Sequence, residues 1–282
     1  MRRPTAFITG ASRGIGAETA VALARRGFDV AITARTLADG EAHDHVGKVA
    51  PLPGSLEATA AAIRREGGAA LCLPADILDE ASVVRAAQRA QSRFGQIDLL
   101  FNNAVYQGTG NQEPLLALTR QQLEAIYQGN VYTPLALVQA LLPDMLAQGS
   151  GTIINMMSYT AFHDPPAPAS QGGWGFAYPS SKAALGRMAG ALRAEHADSG
   201  LRVFNVEPGT VVTEVMKAAG ITEEVMKRYR PCSPAAIAGV VAWLALNDPR
   251  EEWQAEATLR GPAIAKSLEL LDAPSLLEIP DG

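Results

Sequence analysis

Tyr178 and Lys182 stand four residues apart in the run Tyr178-Pro179-Ser180-Ser181-Lys182, and on a helix that spacing puts two side chains on one face. Pro179 is tolerated only in a first helical turn, so the spacing predicts a helix opening close to Tyr178. A tyrosine titrates near about pH 10 and shuttles protons poorly at neutrality. An ammonium beside it favours the phenolate and is expected to bring the pKa down toward general acid–base use. Ser158 ends an apolar run upstream, where its hydroxyl can hold and orient the same reacting oxygen.

A second constellation lies near the start of the chain. Thr9-Gly10-Ala11-Ser12-Arg13-Gly14-Ile15-Gly16 separates an apolar run from a helix-period segment. Glycines there let the backbone turn sharply and approach a pyrophosphate with no Cβ in the way. The helix that follows offers free N–H groups and partial positive charge to an anion. The next strand ends Ala31-Ile32-Thr33-Ala34-Arg35-Thr36, with no carboxylate after it until Asp39 and with Asp29 at its far end. A site for an unphosphorylated ribose would place an acid there. Arg35, with Arg13 inside the glycine turn, instead suits a 2′-phosphate held by charge-assisted hydrogen bonds, so the residue chemistry predicts NADP(H) over NAD(H).

The elements that must position these groups are legible as an alternation. Ala6–Thr9, Asp29–Ala34, Ala70–Pro74, Asp98–Asn102, Thr152–Met157 and Leu201–Val206 are short and apolar on both faces, as strands of a covered parallel sheet are. Ile15–Arg26, Leu56–Glu66, Glu80–Phe94, Arg120–Ala147 and Pro179–Ala197 have helical periodicity and mostly end at glycines. Such alternation predicts an α/β fold with one doubly wound parallel sheet in a single domain, 1–282. The stretches Thr36–Ser55, Tyr159–Gly175 and Gly209–Pro231, and the tail from Asn247, break the rhythm and read as long connections. The apolar residues Val211, Val212, Val215, Met216, Ile221, Val225 and Met226 recur at helix-like spacing and make about 209–232 a candidate lid; the tail, about 248–282, reads as irregular.

Composition excludes several classes of function. Of 282 residues 48% are hydrophobic, too many for a disordered chain. No apolar run reaches the length of a membrane span, and the apolar stretch near the N-terminus is too short for a secretion signal. A net charge of −5 gives no electrostatic reason to expect nucleic acid. Cys72 and Cys232 lie far apart without metal spacing, and His43, His45, His163 and His196 show none either, so no metal site and a cytoplasmic location are expected. Those histidines read as surface or loop residues, Cys72 as inert core and Trp243 as packing. Trp174 and Tyr159, between Ser158 and Tyr178, are candidates for substrate contact.

The TGxxxGIG spacing of the glycine turn resembles that of the classical short-chain dehydrogenases/reductases, and further matches follow in order. They are Asp76-Ile77, Asn102-Asn103-Ala104, Asn130, Ser158, Tyr178 with Lys182, and Pro208-Gly209 with Thr213. The resemblance covers about residues 5–247. It implies a Rossmann fold and a nicotinamide dinucleotide, with Tyr178 exchanging a proton with the substrate oxygen as hydride moves to or from the nicotinamide. Lys182 would also hold the nicotinamide ribose, and Asn130 would position a water linking Lys182 to solvent. Gly10, Ser12, Arg13, Gly14, Ile15, Gly16, Arg35, Asp76, Ile77, Asn103, Ala104, Pro208, Gly209, Val211 and Thr213, with Tyr178 and Lys182, are the implied cofactor contacts.

Three features depart from the family pattern: Val105 stands where a glycine follows Asn-Asn-Ala, the Ser158–Tyr178 segment is long, and Glu256–Ala265 lacks the usual glycine-bearing seventh strand. The resulting expectation is a NADP(H)-dependent oxidoreductase interconverting a ketone or aldehyde and an alcohol on a medium to large apolar substrate. Its assembly is expected to be a homodimer or homotetramer through the fourth and fifth helices. Two alternatives stay open: a catalytically weak dinucleotide-binding regulatory protein, and an enoyl-type reductase of the same fold acting on C=C. The intact Ser158, Tyr178 and Lys182 speak against the first, and the tyrosine–lysine spacing against the second.

Overall fold

The strand residues alternate between two apolar faces. In the computed structural model, which describes residues 2–45, 48–106, 108–218, 231–249, 253 and 256–270, Ala6, Ile8, Val30, Ile32, Phe101 and Ile154 face one core. Phe7, Ala31, Leu100, Ile153 and Val203 face the other. Strands apolar on both sides must be covered on both sides, and they are. The sheet is built from β1 (Thr5–Thr9), β2 (Asp29–Ala34), β5 (Ala70–Pro74), β6 (Leu99–Asn102), β7 (Gly151–Met156), β8 (Leu201–Glu207) and β9 (Leu259–Arg260). Its order is β5-β2-β1-β6-β7-β8-β9, every pairing parallel. The order reverses beside β1, and in such sheets the crevice at that reversal receives the ligand.

On one face pack α1 (Gly14–Arg25), α2 (Leu56–Arg65) and α8 (Pro234–Leu246); on the other pack α3 (Glu80–Phe94), α5 (Thr133–Ala147) and α6 (Ala177–Glu195). α1 buries Ile15, Gly16, Thr19, Ala20, Leu23 and Ala24, the stripe expected at a 3.6-residue period. Side-chain oxygens of Ser55, Asp79, Thr119 and Ser233 accept the first free N–H groups of α2, α3, α4 (Arg120–Tyr127) and α8. α1 opens on Arg13 with no such bond, which leaves its N-terminal donors for an anion.

A buried amide ladder crosses the sheet. Asn102 Nδ2 donates to Asn155 Oδ1 at 2.9 Å, and Asn155 Nδ2 to Asn205 Oδ1 at 3.2 Å. Asn205 Nδ2 then reaches the Gly186 carbonyl of α6 at 3.0 Å. This fixes the strand ends against the helix that carries Tyr178.

The structure corrects the sequence reading in four places, besides shifts of one or two residues at element ends. The expected Arg120–Ala147 helix is interrupted by a π-helical segment, Gln128–Tyr132, between α4 and α5; hydrophobic periodicity does not register a single wide turn. The Thr36–Ser55 connection contains an antiparallel hairpin, β3 (Ala42–His45) and β4 (Lys48–Pro51), whose exposed residues carry little apolar alternation. The tail is not irregular throughout: β9 pairs with β8, and Gly261 follows it directly, opening α9 (Gly261–Ser267). Two residues are too few to announce a strand by pattern. In the 209–232 segment α7 spans Glu214–Ala218, while Ile221, Val225 and Met226 lie outside the described residues, as does the tail beyond 270.

Candidate active site

The glycine turn is shaped by contacts that only glycine allows. Gly10 and Gly14 have φ of 69° and 57°, the left-handed region that disfavours side chains. A Cβ on Gly16 would lie 2.3 Å from the Gly10 carbonyl oxygen and 2.6 Å from Asn103 Nδ2. Asn103 is the clasp: its Nδ2 donates to the carbonyls of Thr9 at 2.9 Å and Gly10 at 3.1 Å. Thr9 Oγ1 accepts in return from the backbone N–H of Asn103 and of Ala104. The turn after β1 and the end of β6 are thereby one rigid unit. Sequence reasoning named Asn103 but missed Thr9, whose signal was its place between strand and turn.

One cleft of about 540 Å³ gathers most of the expected residues. Gly10, Ser12, Arg13, Gly14 and Ile15 line it, as do Arg35, Asp76, Ile77, Asn103, Ala104 and Val105. Tyr178 and Lys182 line it too, with Pro208, Gly209, Val211 and Thr213 and the apolar Met156, Met157, Val215 and Met216. Gly16, Ser158 and Asn130 stand behind this lining. Tyr159 and Trp174 do not line the cleft: they meet edge-on, ring centroids 6.3 Å apart, and His163 stacks on Tyr159 at 3.8 Å.

The cleft fits a dinucleotide phosphate. Beside Gly14, where a Cβ would come 3.8 Å from Glu214 Oε2, that carboxylate oxygen is buried with no hydrogen-bond partner among the described residues, and its charge favours the Arg13 guanidinium. The uncapped start of α1 keeps its free N–H groups for an anion. Arg13 itself is more committed than its sequence suggested. Its Nε donates to the Pro53 carbonyl at 2.9 Å and one terminal nitrogen to the Gly54 carbonyl at 2.9 Å and Thr36 Oγ1 at 3.2 Å. It fastens the segment after the hairpin, and burial lowers its pKa. Arg35 donates to the Asp44 carbonyl of β3 at 3.0 Å, so the hairpin borders the cleft beside it.

The catalytic candidates converge from three elements. α6 opens at Ala177, so Tyr178 and Lys182 share its first turns as their spacing predicted. Lys182, 2% exposed, donates from Nζ to the Met156 carbonyl at the end of β7, at 2.8 Å. Burial lowers its pKa from 10.5 to about 8, so it stays an ammonium at neutrality. The Ser158 hydroxyl stands 3.0 Å from Thr160 Oγ1. Burial raises the Tyr178 pKa, the approach of Ser158 opposes that rise, and the Glu207 carboxylate adds to it. The expected lowering is corrected accordingly: loss of solvent around the phenol dominates.

Asn130 lies buried in the π-helical segment. Its Oδ1 accepts from the Tyr106 N–H at 2.8 Å and its Nδ2 donates to Ser181 Oγ at 3.0 Å. Ser181 Oγ donates in turn to the Tyr178 carbonyl at 2.7 Å. Asn130 thus steadies the opening turn of α6 through Ser181, a link that sequence reasoning missed although Ser181 sits inside the tyrosine–lysine motif. Glu207 was missed as well. It is 6% exposed, and its Oε1 accepts from the Gly209 N–H at 2.6 Å.

Comparison with known proteins agrees with this geometry. The family model described as short chain dehydrogenase matches residues 4–52 and 42–224. An uncharacterized oxidoreductase of Methylorubrum extorquens is 33% identical over 254 residues, 87% of this chain and 91% of its own. A short chain dehydrogenase of Monascus purpureus is 32% identical over 260 residues, 88% of this chain and 77% of its own. A metagenomic short-chain oxidoreductase, solved in complex with NADP, superposes with a TM-score of 0.69 at 29% identity, covering 92% of this chain and 98% of that one. With this strand order, and with the glycine turn, Tyr178 and Lys182 set in one cleft, the chain belongs to the short-chain dehydrogenase family and is an oxidoreductase with a Rossmann fold.

Proposed function

We propose that the protein interconverts a ketone or aldehyde and the corresponding alcohol, with NADP(H) preferred, on a substrate of medium to large apolar character. The observation that carries this reading is that Tyr178 and a buried Lys182 ammonium, on the first turns of α6, line the same cleft as the glycine turn at the uncapped start of α1. When bound, the nicotinamide dinucleotide supplies or accepts the hydride. The pyrophosphate would lie against Gly10, Ser12, Gly14 and Ile15, the 2′-phosphate against Arg35, and the nicotinamide ribose against Tyr178 and Lys182.

The chain's own groups manage the proton. In reduction the Ser158 hydroxyl donates to the carbonyl oxygen, and Tyr178 Oη transfers its proton to that oxygen as negative charge develops there. A raised pKa keeps Tyr178 protonated and ready as an acid at neutrality. The Lys182 ammonium then balances the phenolate that remains. Both ends of the Asn130 side-chain amide are occupied by protein, so that side chain steadies the start of α6, from a segment where π-type turns are often functional.

Val211, Val215, Met216, Met156 and Met157 give the substrate end an apolar, adaptable wall, which supports the larger apolar substrates. The described residues include no helix long and apolar enough to cross a membrane, and both cysteines are unpaired, in keeping with the cytoplasm. Exposed Tyr132 and Leu135 at the start of α5 support assembly through that helix. The test of function is NADPH oxidation across ketones and aldehydes graded by apolar size. Turnover rising with size is the expected result; a preference for small charged substrates, or no oxidation with any carbonyl, overturns the reading.

A further inference from the structure

The chain between β2 and α2 is far longer than a strand-to-helix connection needs. The family match breaks across it: the two matched stretches, 4–52 and 42–224, overlap on the β3–β4 hairpin. That hairpin does little for the core. Two strands alone are only marginally stable, and Val49 of β4 is 74% exposed. Polar contacts hold the excursion instead. At its base the N–H groups of Leu56 and Glu57 donate to the carbonyls of Thr36 and Leu37, each at 3.1 Å. The Glu41 carboxylate accepts from the N–H groups of Leu37 and Ala38 at 2.8 and 3.2 Å. At its far end Gly54 has φ of 94°, and a Cβ there would lie 2.5 Å from the Ser12 carbonyl oxygen. The returning segment therefore lies directly against the glycine turn.

What the excursion grips is two guanidinium groups. Arg35 donates from one terminal nitrogen to the Asp44 carbonyl of β3 at 3.0 Å. Arg13 donates from Nε to the Pro53 carbonyl at 2.9 Å, and from one terminal nitrogen to the carbonyls of Leu52 at 3.4 Å and Gly54 at 2.9 Å. The same nitrogen reaches Thr36 Oγ1 at 3.2 Å, and Thr36 is the chain neighbour of Arg35. Every one of these partners is a neutral oxygen, and neither arginine forms an ion pair among the described residues. Each keeps its other terminal nitrogen without a partner among them. Both line the cleft together with Ser12, Thr36 and Asp44. Burial lowers the Arg13 pKa and the Arg35 charge adds to that, against the opposing carboxylates of Glu214 and Asp39.

We infer that the Thr36–Ser55 excursion is a specificity-determining part of the cofactor site: backbone carbonyls of Asp44 and of Leu52–Gly54 hold Arg35 and Arg13 in place to grip the 2′-phosphate of NADP(H). The inference rests on the reading of Arg35 as a contact of that phosphate. Neutral carbonyls fix the direction of a guanidinium and leave its charge uncompensated, with donors to spare in a rigid fork. An arginine loose in solvent must give up rotamer freedom when it binds, whereas one already held has given it up on folding. A cofactor without the phosphate offers these groups nothing to grip. The excursion therefore acts on discrimination between the two cofactors rather than on dinucleotide binding in general.

The test replaces Ala42–Pro51 by a short Gly-Ser linker, which can span the gap because Ala42 and Pro51 are paired across the hairpin. Arg13, Arg35, Glu41 and Leu52–Gly54 stay in place. Binding of adenosine 2′,5′-bisphosphate and of adenosine 5′-monophosphate is then measured by calorimetry. Wild-type protein should bind the bisphosphate about tenfold tighter or more. In the replaced protein the two affinities should come within about threefold of each other, with monophosphate binding little changed. A retained ratio overturns the inference, and so does an equal loss of both ligands, which would make the excursion a mere support of the turn. A second measurement needs no variant. In wild-type protein saturating bisphosphate should slow amide exchange over 42–51 by about threefold or more relative to saturating monophosphate; equal exchange overturns the inference as well. Equal wild-type affinity for the two ligands would instead sink the reading of Arg35 on which it rests. Neither readout needs turnover, so both decide the matter whatever carbonyl the enzyme reduces.

Discussion

Replacing Lys182 by methionine should stabilise the protein at neutral pH relative to its stability in alkali, although it destroys the site. Burial lowers the lysine from 10.5 to about 8, and each tenfold change in proton affinity corresponds to about 1.4 kcal/mol. Holding the ammonium in the folded state therefore costs about 3 kcal/mol at pH 6.5. The unfolded chain binds the extra proton between the two pKa values, so this cost falls as pH rises through that window. At pH 9.5 about 1.4 kcal/mol remains. Methionine carries no charge and pays nothing at either pH, but it gives up the bond to the Met156 carbonyl, a loss of about 1–2 kcal/mol that is nearly independent of pH. The raised pKa of Tyr178 keeps its phenol neutral across the window. Urea unfolding of wild-type and Lys182→Met protein at both pH values gives the difference directly. The advantage of the variant should shrink by about 2 kcal/mol from pH 6.5 to 9.5. A difference that does not change with pH would refute the argument that Lys182 is held as a desolvated ammonium.

Two further substitutions address the cofactor end. Arg35→Asp puts a carboxylate where the 2′-phosphate is placed and should reduce the preference for NADPH over NADH by about tenfold or more, read as the ratio of kcat/KM values; an unchanged ratio would remove Arg35 from phosphate recognition. Gly16→Ala drives a methyl into the Gly10 carbonyl at 2.3 Å, with backbone as the obstacle. It should cost about 1–3 kcal/mol of stability and weaken NADPH binding further than that loss explains, by thermal melting and fluorescence titration. Unaltered melting and binding would show that the turn is looser than described.

The parts of this molecule that repeat a pattern were readable from its residues. Six of the seven strands of the parallel sheet are runs of residues apolar on both faces, and the tyrosine–lysine pair lies on the helix its spacing required. What escaped is short or depends on partners far away in sequence. β9 has two residues, and only its register with Val206 and Glu207 makes it a strand. The π-helical segment is one wide turn in an otherwise helical stretch, fixed by Asn130 reaching Tyr106 and Ser181. Arg13 was expected beside a phosphate, and the carbonyls it holds come from a segment some forty residues on. The direction of the Tyr178 shift was misjudged because a neighbouring lysine is visible in sequence, whereas the burial of the phenol and the approach of Glu207 are not.

The central claim is that Tyr178 delivers the proton in a nicotinamide-dependent carbonyl reduction. It is tested most directly by Tyr178→Phe, which keeps the ring and removes the hydroxyl. NADPH binding, followed by fluorescence titration, should stay within a few-fold of wild type, while the rate of NADPH oxidation with the best carbonyl substrate falls by about a hundredfold or more. Oxidation at close to the wild-type rate in Tyr178→Phe would contradict the account.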